Sequence, residues 1–122
     1  MNIPTYLLGR ILLGIPFLVF GMMHFPGADQ MAGMVPAWIP GGVFWVYFTG
    51  VANIAAGVAF ITGKQARLAG FLTALMMIVF ILAIHLPGMS NPATAQMSMM
   101  SILKDLGLAG GALLMAHLAD SK

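Results

Sequence analysis

The sequence predicts an all-α fold: an integral membrane four-helix bundle with its N and C termini on the cytoplasmic side. Three observations carry that prediction. The 122-residue chain is 61% hydrophobic, with a mean hydropathy of +0.99 and only 7% charged residues. A water-soluble domain carries about a quarter charged residues to cover its surface. Second, four apolar runs are each long enough to cross a hydrocarbon core of about 30 Å, which takes roughly 20 helical residues. Third, the loop cations all fall on one side of the bundle those runs would form.

The first span is expected at 4–25, where Pro4 suits an early helical position because its missing N–H would have no partner there. Pro16 lies within it and removes one backbone bond, so a kink is expected. The segment MNIPTYLLGRILLGIPFLVFGMMHF is read as a span and not as a signal peptide. It lacks a basic start and an A-x-A-like site, and its apolar run is too long. PGADQMAGMVPAWIPGG (26–42) is too broken by Pro and Gly to span and is expected on the bilayer surface, with Trp38 at headgroup depth. The second span is expected at 43–61, TGKQAR (62–67) is a polar turn, and the third span covers 68–86. PGMSNPATAQ (87–96) is a second Pro-rich loop before a fourth span at 97–118.

Lys and Arg are retained on the cytoplasmic side of a membrane. Lys64 and Arg67 lie in the 62–67 turn and Lys122 ends the chain, whereas 26–42 and 87–96 contain neither residue type. Both termini and the short turn are therefore expected inside, and the two longer loops outside. The net charge of +2 rests on five Lys and Arg and three Asp, with no basic stripe that would suit nucleic acid. With no cysteine, a disulfide framework, a CxxC redox pair and a thiolate metal site are excluded within this chain.

Spans in lipid pack through small residues that let backbones approach. Gly14 and Gly21, Gly50 and Gly57, and the GxxxG pair Gly107 and Gly111 are the candidate contact faces. Lys104 stands on the stripe of Gly107 and Gly111, so one face of the fourth span is expected to carry both the tight contact and an ammonium.

Arg10, Lys104 and Asp105 are the ionisable groups within the spans. A charge at bilayer depth is costly, so such groups either reach for the interface or face the bundle and find partners. The functional reading is one internal polar site of Arg10, Asn53, Lys104 and Asp105, suited to a quinone headgroup, a small anion or a relayed proton. Asp105 is the only carboxylate in a span, and the first span, through Arg10, is its expected partner. His24 and His85 end the first and third spans at matching depth, and eight of the twelve methionines gather at the same end. Thioether and imidazole donors would suit copper(I). Methionine is more often a flexible gap-filler, so no metal is assigned, and the histidines are read as hydrogen-bonding or quinone-contacting groups. Nothing matches a nucleophilic triad, a phosphate loop, a dinucleotide fingerprint or a paired-carboxylate hydrolase.

The stretches GRILLGIPFLVFGMMHF, TGVANIAAGVAFITGKQARLAG and KDLGLAGGALLMA resemble the DoxX family of small four-helix membrane proteins over nearly the whole chain. The shared features are arginine before small residues in the first helix, the GxxxxxxG turn into the third, and lysine ahead of paired glycines in the fourth. The resemblance implies that Arg10 and Lys104 are the family's intramembrane cations. It implies a redox-associated subunit of the bacterial inner membrane, linked to thiosulfate oxidation with quinone as acceptor or to complexes handling oxidative stress. Asn53 stands where many such proteins carry glutamate, so a carboxylate is missing from the second helix; either Asp105 replaces it or the proton role is absent. Without a cysteine, haem or flavin signature, electron transfer would need a partner subunit or bound quinone. Two other classes stay open: a small-solute transporter or channel lined by the same residues, and a scaffold that docks a partner or a second copy through the GxxxG face.

Overall fold

The computed structural model describes residues 3–120; Lys122, one of the cations that orient the chain, lies outside them. The helices are α1 (Thr5–Met23), a short α2 (Ala28–Ala32), α3 (Val43–Thr62), α4 (Ala66–Phe80), the single turn α5 (Leu86–Gly88) and α6 (Ala95–Asp120). A five-residue π turn, Ile81–His85, joins α4 to α5 without a break, so the third apolar segment runs from Ala66 to Gly88. Four helices are therefore long and apolar enough to cross a membrane. The described residues contain no strand.

The helices associate as two tight pairs, α1 on α3 and α4 on α6, with thinner contact between the pairs. Glycine sets the first pair. A Cβ on Gly14 would lie 2.9 Å from the Gly57 carbonyl oxygen, and one on Gly21 would lie 2.7 Å from that of Gly50. The two antiparallel helices thus share a seven-residue step, and at each step one backbone presses on the other with no side chain between. Dispersion and close backbone approach supply the association that apolar contact alone does not give in lipid.

The second pair corrects the expected GxxxG contact. The interlocking glycine is Gly70 of α4, where a Cβ would sit 2.6 Å from the Ala112 carbonyl oxygen and 2.7 Å from the Ala116 Cβ. Gly107 and Gly110 have nothing within 4 Å, and Gly111 meets only the end of Leu13, at 3.5 Å. The buried stripe of α6 is Ser98, Asp105, Ala109, Ala112 and Ala116. Alanine methyls fill the groove beside Gly70, whereas a glycine face would leave it half empty. That choice rotates α6 so that Asp105 turns inward and Lys104 moves to the edge.

α1 runs through Pro16 as one continuous helix. The α3–α4 turn closes tightly: Gly63 ends α3 at φ +78°, and Gln65 begins α4 at φ 57°. This turn marks one end of the bundle, the turn end; the 26–42 and 87–94 connections mark the other, the loop end. At the turn end the interior is solid. Phe60 is fully buried and meets Phe17 edge to face at 5.7 Å, with Ala66, Ala112, Met115 and Ala116 packed around them.

The π turn has a local cause. Pro87 has no N–H, and its ring would crowd the carbonyl four residues earlier; a wider turn just before it relieves that conflict. The Leu86 N–H bonds back to the Ile81 carbonyl, five residues away.

A polar cluster in an apolar pocket

Between the helix pairs at the loop end lies a pocket of about 380 Å³. α1 contributes Phe17, Phe20 and His24; α3 contributes Trp45, Thr49 and Asn53. Across from them stand Met77 and Phe80 of α4, His85 of the π turn, and Ser101, Lys104 and Asp105 of α6. Five residues of the 26–42 segment, Met31, Met34, Val35, Pro36 and Ile39, form the remaining wall. That segment was expected to lie along the bilayer surface. Trp38 does face out, at 78% exposed, and Met34 is largely exposed as well, while the half-buried Met31, Val35, Pro36 and Ile39 line the pocket. The Trp45 indole N–H donates to the Pro40 carbonyl at 2.6 Å and ties this segment, the pocket's roof, to α3.

Asp105 is the deepest charge, 2% exposed. It lies ten residues along α6, about 15 Å from the start of that helix at 1.5 Å per residue. One carboxylate oxygen, Oδ1, is 3.6 Å from the Lys104 ammonium; the other, Oδ2, is 3.2 Å from His85 Nε2. Lys104 is half exposed, and its ammonium also stands over the Phe20 ring, 5.0 Å from the centroid. Such a cation–π contact is worth about 0.5–1 kcal/mol at an exposed position. The cluster therefore links three long helices: α6 supplies the ion pair, the π turn ending α4 supplies the imidazole, and α1 supplies the aromatic face. On α3, Asn53 lies on the stripe of Gly50 and Gly57 and is 4% exposed. His24 Nδ1 lies 2.5 Å from the Phe20 carbonyl, so Nδ1 is the donor, since a carbonyl only accepts.

The π turn matters to this geometry. A turn one residue wider than an α turn changes the direction in which the next side chains leave the helix, and such turns recur at functional sites. Here it ends on His85, the residue that reaches Asp105.

Of the predicted polar residues, Asn53, Lys104 and Asp105 line one pocket, together with both His24 and His85. Arg10 does not join them. It lies at the turn end, its guanidinium against Gly63 at the C-terminus of α3 and 4.9 Å from the Tyr6 ring centroid. That is the negative end of the α3 dipole, where a cation is stabilised by about 0.3–1 kcal/mol. Because α1 and α3 are antiparallel, a residue near the start of α1 meets the end of α3, one full bundle layer from Asp105. The expected Arg10–Asp105 partnership is therefore replaced by His85 on one side of the carboxylate and Lys104 on the other.

Sequence reasoning did not single out Phe20, Trp45, Thr49, Ser101 or the roof residues. Phe17, Phe20 and His24 follow an i, i+3, i+7 spacing, which was a usable signal for one face. The roof had no such signal, because its residues have no helical period. Among the described residues, no three His, Cys, Asp or Glu side chains come together as metal ligands.

Fold and site define the class: an all-helical integral membrane protein with an apolar pocket, closed on one side by a buried carboxylate and its two basic partners. The chain belongs to a family described as a domain of unknown function (DUF8561), whose match covers residues 13–105. No curated protein and no solved structure matches the chain.

Proposed function

We propose that the protein is a DoxX-like, redox-associated subunit of a bacterial inner membrane, and that its pocket receives a quinone headgroup. The observation that carries this reading is the combination in one cavity of aromatic and methionine walls with a few polar groups supplied by both helix pairs. Ligand sites for ring compounds have that composition: mostly apolar, with a few placed polar groups to fix orientation. Its volume lies in the range of such sites. A bound quinone would supply the two-electron chemistry that the cysteine-free chain does not carry itself. Lys104 and His85 are the residues that would hold its oxygens, and Phe20 and Trp45 those that would face its ring.

The distribution of loop cations supports placing both termini and the 62–67 turn in the cytoplasm. The pocket then opens in the half of the bilayer away from the cytoplasm. A channel is the weaker reading, because the interior between the pocket and the turn end is filled by Phe60, Met115, Ala112 and Ala116. The open Gly107 and Gly110 side of α6 supports a docking role for a partner subunit or a second copy.

The test uses the protein in lipid nanodiscs. The chain has two tryptophans, and in a Trp38→Phe background the remaining one, Trp45, lines the pocket. A short-chain quinone should quench Trp45 saturably, and Lys104→Ala should weaken the binding. Quenching that rises linearly with quinone, as in empty nanodiscs with a tryptophan peptide, would overturn the reading.

A further inference from the structure

Methionine is placed unevenly in the fold. Met77 and Met115 are buried and fill gaps in the core, as a flexible thioether does. Met22, Met23, Met34, Met97, Met99 and Met100 are instead 42–74% exposed, and all lie at the loop end. An exposed side chain fills no gap, so packing does not account for the sulfur there. Two of these, Met23 and Met34, line the pocket together with Met31 and His24. Backbone bonds wind the three methionines onto consecutive turns: the Gly27 N–H donates to the Met23 carbonyl, the Met31 N–H to the Gly27 carbonyl, and the Met34 N–H to the Met31 carbonyl. The Met31 methyl folds back onto this path, 3.5 Å from where a Cβ on Gly27 would stand. His24 follows Met23 directly, and its imidazole is held in one tautomer. Its Nδ1–H is given to the Phe20 carbonyl, which leaves the lone pair on Nε2. Metal-binding histidines are oriented in this way, with one nitrogen donating to a carbonyl and the other on the ion.

We propose that His24 Nε2 and the thioethers of Met23, Met31 and Met34 form a binding site for a soft monovalent cation, copper(I). Thioether sulfur and neutral imidazole suit that ion. Zinc would want thiolate or carboxylate beside imidazole, and calcium or magnesium would want oxygen. The chain has no cysteine, and the carboxylate in the pocket lining, Asp105, already lies beside Lys104 and His85. Four neutral donors leave the charge of the ion uncompensated, which costs less for a monovalent than for a divalent cation. The Lys104 ammonium, over the Phe20 ring one turn away, is matched by Asp105 and adds no net repulsion. The site goes beyond the quinone reading and stands without it, because its donors are not the Lys104 and His85 assigned to the quinone oxygens.

The experiment is an anaerobic competition for copper(I) between the full chain in nanodiscs and the chromogenic chelator bicinchoninate, with empty nanodiscs subtracted and no quinone present. The wild-type chain should withdraw a single copper(I) from the chelator. His24→Ala, and separately the double variant Met31→Leu with Met34→Leu, should each weaken that binding by at least about tenfold. Leucine is close to methionine in volume, so the double variant keeps the fold. Met97→Leu with Met100→Leu removes two thioethers that do not line the pocket and should change nothing. Silver(I), which does not change oxidation state, should move the methyl resonances of Met23, Met31 and Met34 in methyl-labelled wild-type protein and leave that of Met115 in place. No withdrawal of copper(I) overturns the proposal. Equal losses in the two double variants mean adventitious binding to exposed thioethers and overturn it as well. Because the methyl resonances are read on the wild-type chain, a His24 variant that fails to fold does not decide the matter.

Discussion

The two ends of the bundle are built from the same four long helices, yet one is solid and the other hollow. At the turn end, Phe60 and the alanines of α6 fill the space between the helix pairs, and Arg10 sits at the edge against a helix terminus. At the loop end the same pairs enclose a pocket, and its lining holds Asp105, Lys104, His85 and Asn53. Tight helix pairing continues at both levels: Gly21 presses on Gly50 at the loop end as Gly14 presses on Gly57 nearer the turn end. The cavity is therefore not a consequence of loose pairing. It lies where the two pairs diverge at the loop end, lined by Phe20, Trp45 and Phe80 and partly covered by the 26–42 segment.

Substitutions divide along the same line, and the largest effects belong to the packed contacts. Gly57→Leu should abolish the α1–α3 pair, since even a Cβ would meet the Leu18 nitrogen at 2.8 Å and the Gly14 oxygen at 2.9 Å. Loss of the folded species in gel filtration from mild detergent checks this. Gly107→Leu is the control and should leave thermal stability unchanged, because nothing lies within 4 Å of that position. If both variants behave alike, the glycine contacts do not set the fold.

Phe60→Ala comes next. Removing a fully buried ring from the solid end should cost about 3 kcal/mol, by analogy with core truncations that leave a cavity, and lower the unfolding midpoint in denaturant. Ligand binding at the other end should survive in the fraction that stays folded. Asp105→Ala should have the opposite balance. It strips Lys104 of its counter-charge and His85 Nε2 of its carboxylate neighbour, but Lys104 is half exposed and solvent screens its share. A stability loss of about 1–2 kcal/mol is expected, with a disproportionate loss of ligand affinity in calorimetry.

The smallest effects separate the two cations. Lys104→Ala should weaken ligand binding while moving the unfolding midpoint little. Arg10→Gln should lower stability by about 0.5 kcal/mol through the α3 terminus and leave affinity untouched. A loss of affinity in Arg10→Gln would show that the two ends are coupled and would break the division drawn above.

The positions of the spans were legible in the sequence because hydropathy is a property of a segment and needs no partner. Expected spans at 43–61 and 68–86 meet observed segments of Val43–Thr62 and Ala66–Gly88. The glycines of α1 and α3 were legible for a related reason, since a repeated seven-residue step on two antiparallel helices allows one close register. The charged cluster was legible only as a set of residues. The sequence reading followed the glycine stripe through Lys104, Gly107 and Gly111, whereas the buried stripe runs through Asp105, Ala109, Ala112 and Ala116.

What the sequence by itself determined, then, is the solvent, the number of long helices and which residues are too polar to be left in lipid. Which polar group meets which was decided by tertiary structure. Alanine packing against Gly70 fixed the rotation of α6, the antiparallel order carried Arg10 to the far end, and the π turn before Pro87 brought His85 to Asp105. Each of these depends on where a neighbouring backbone stands, and a one-residue turn of a helix moves a side chain by about 100° with no change in composition.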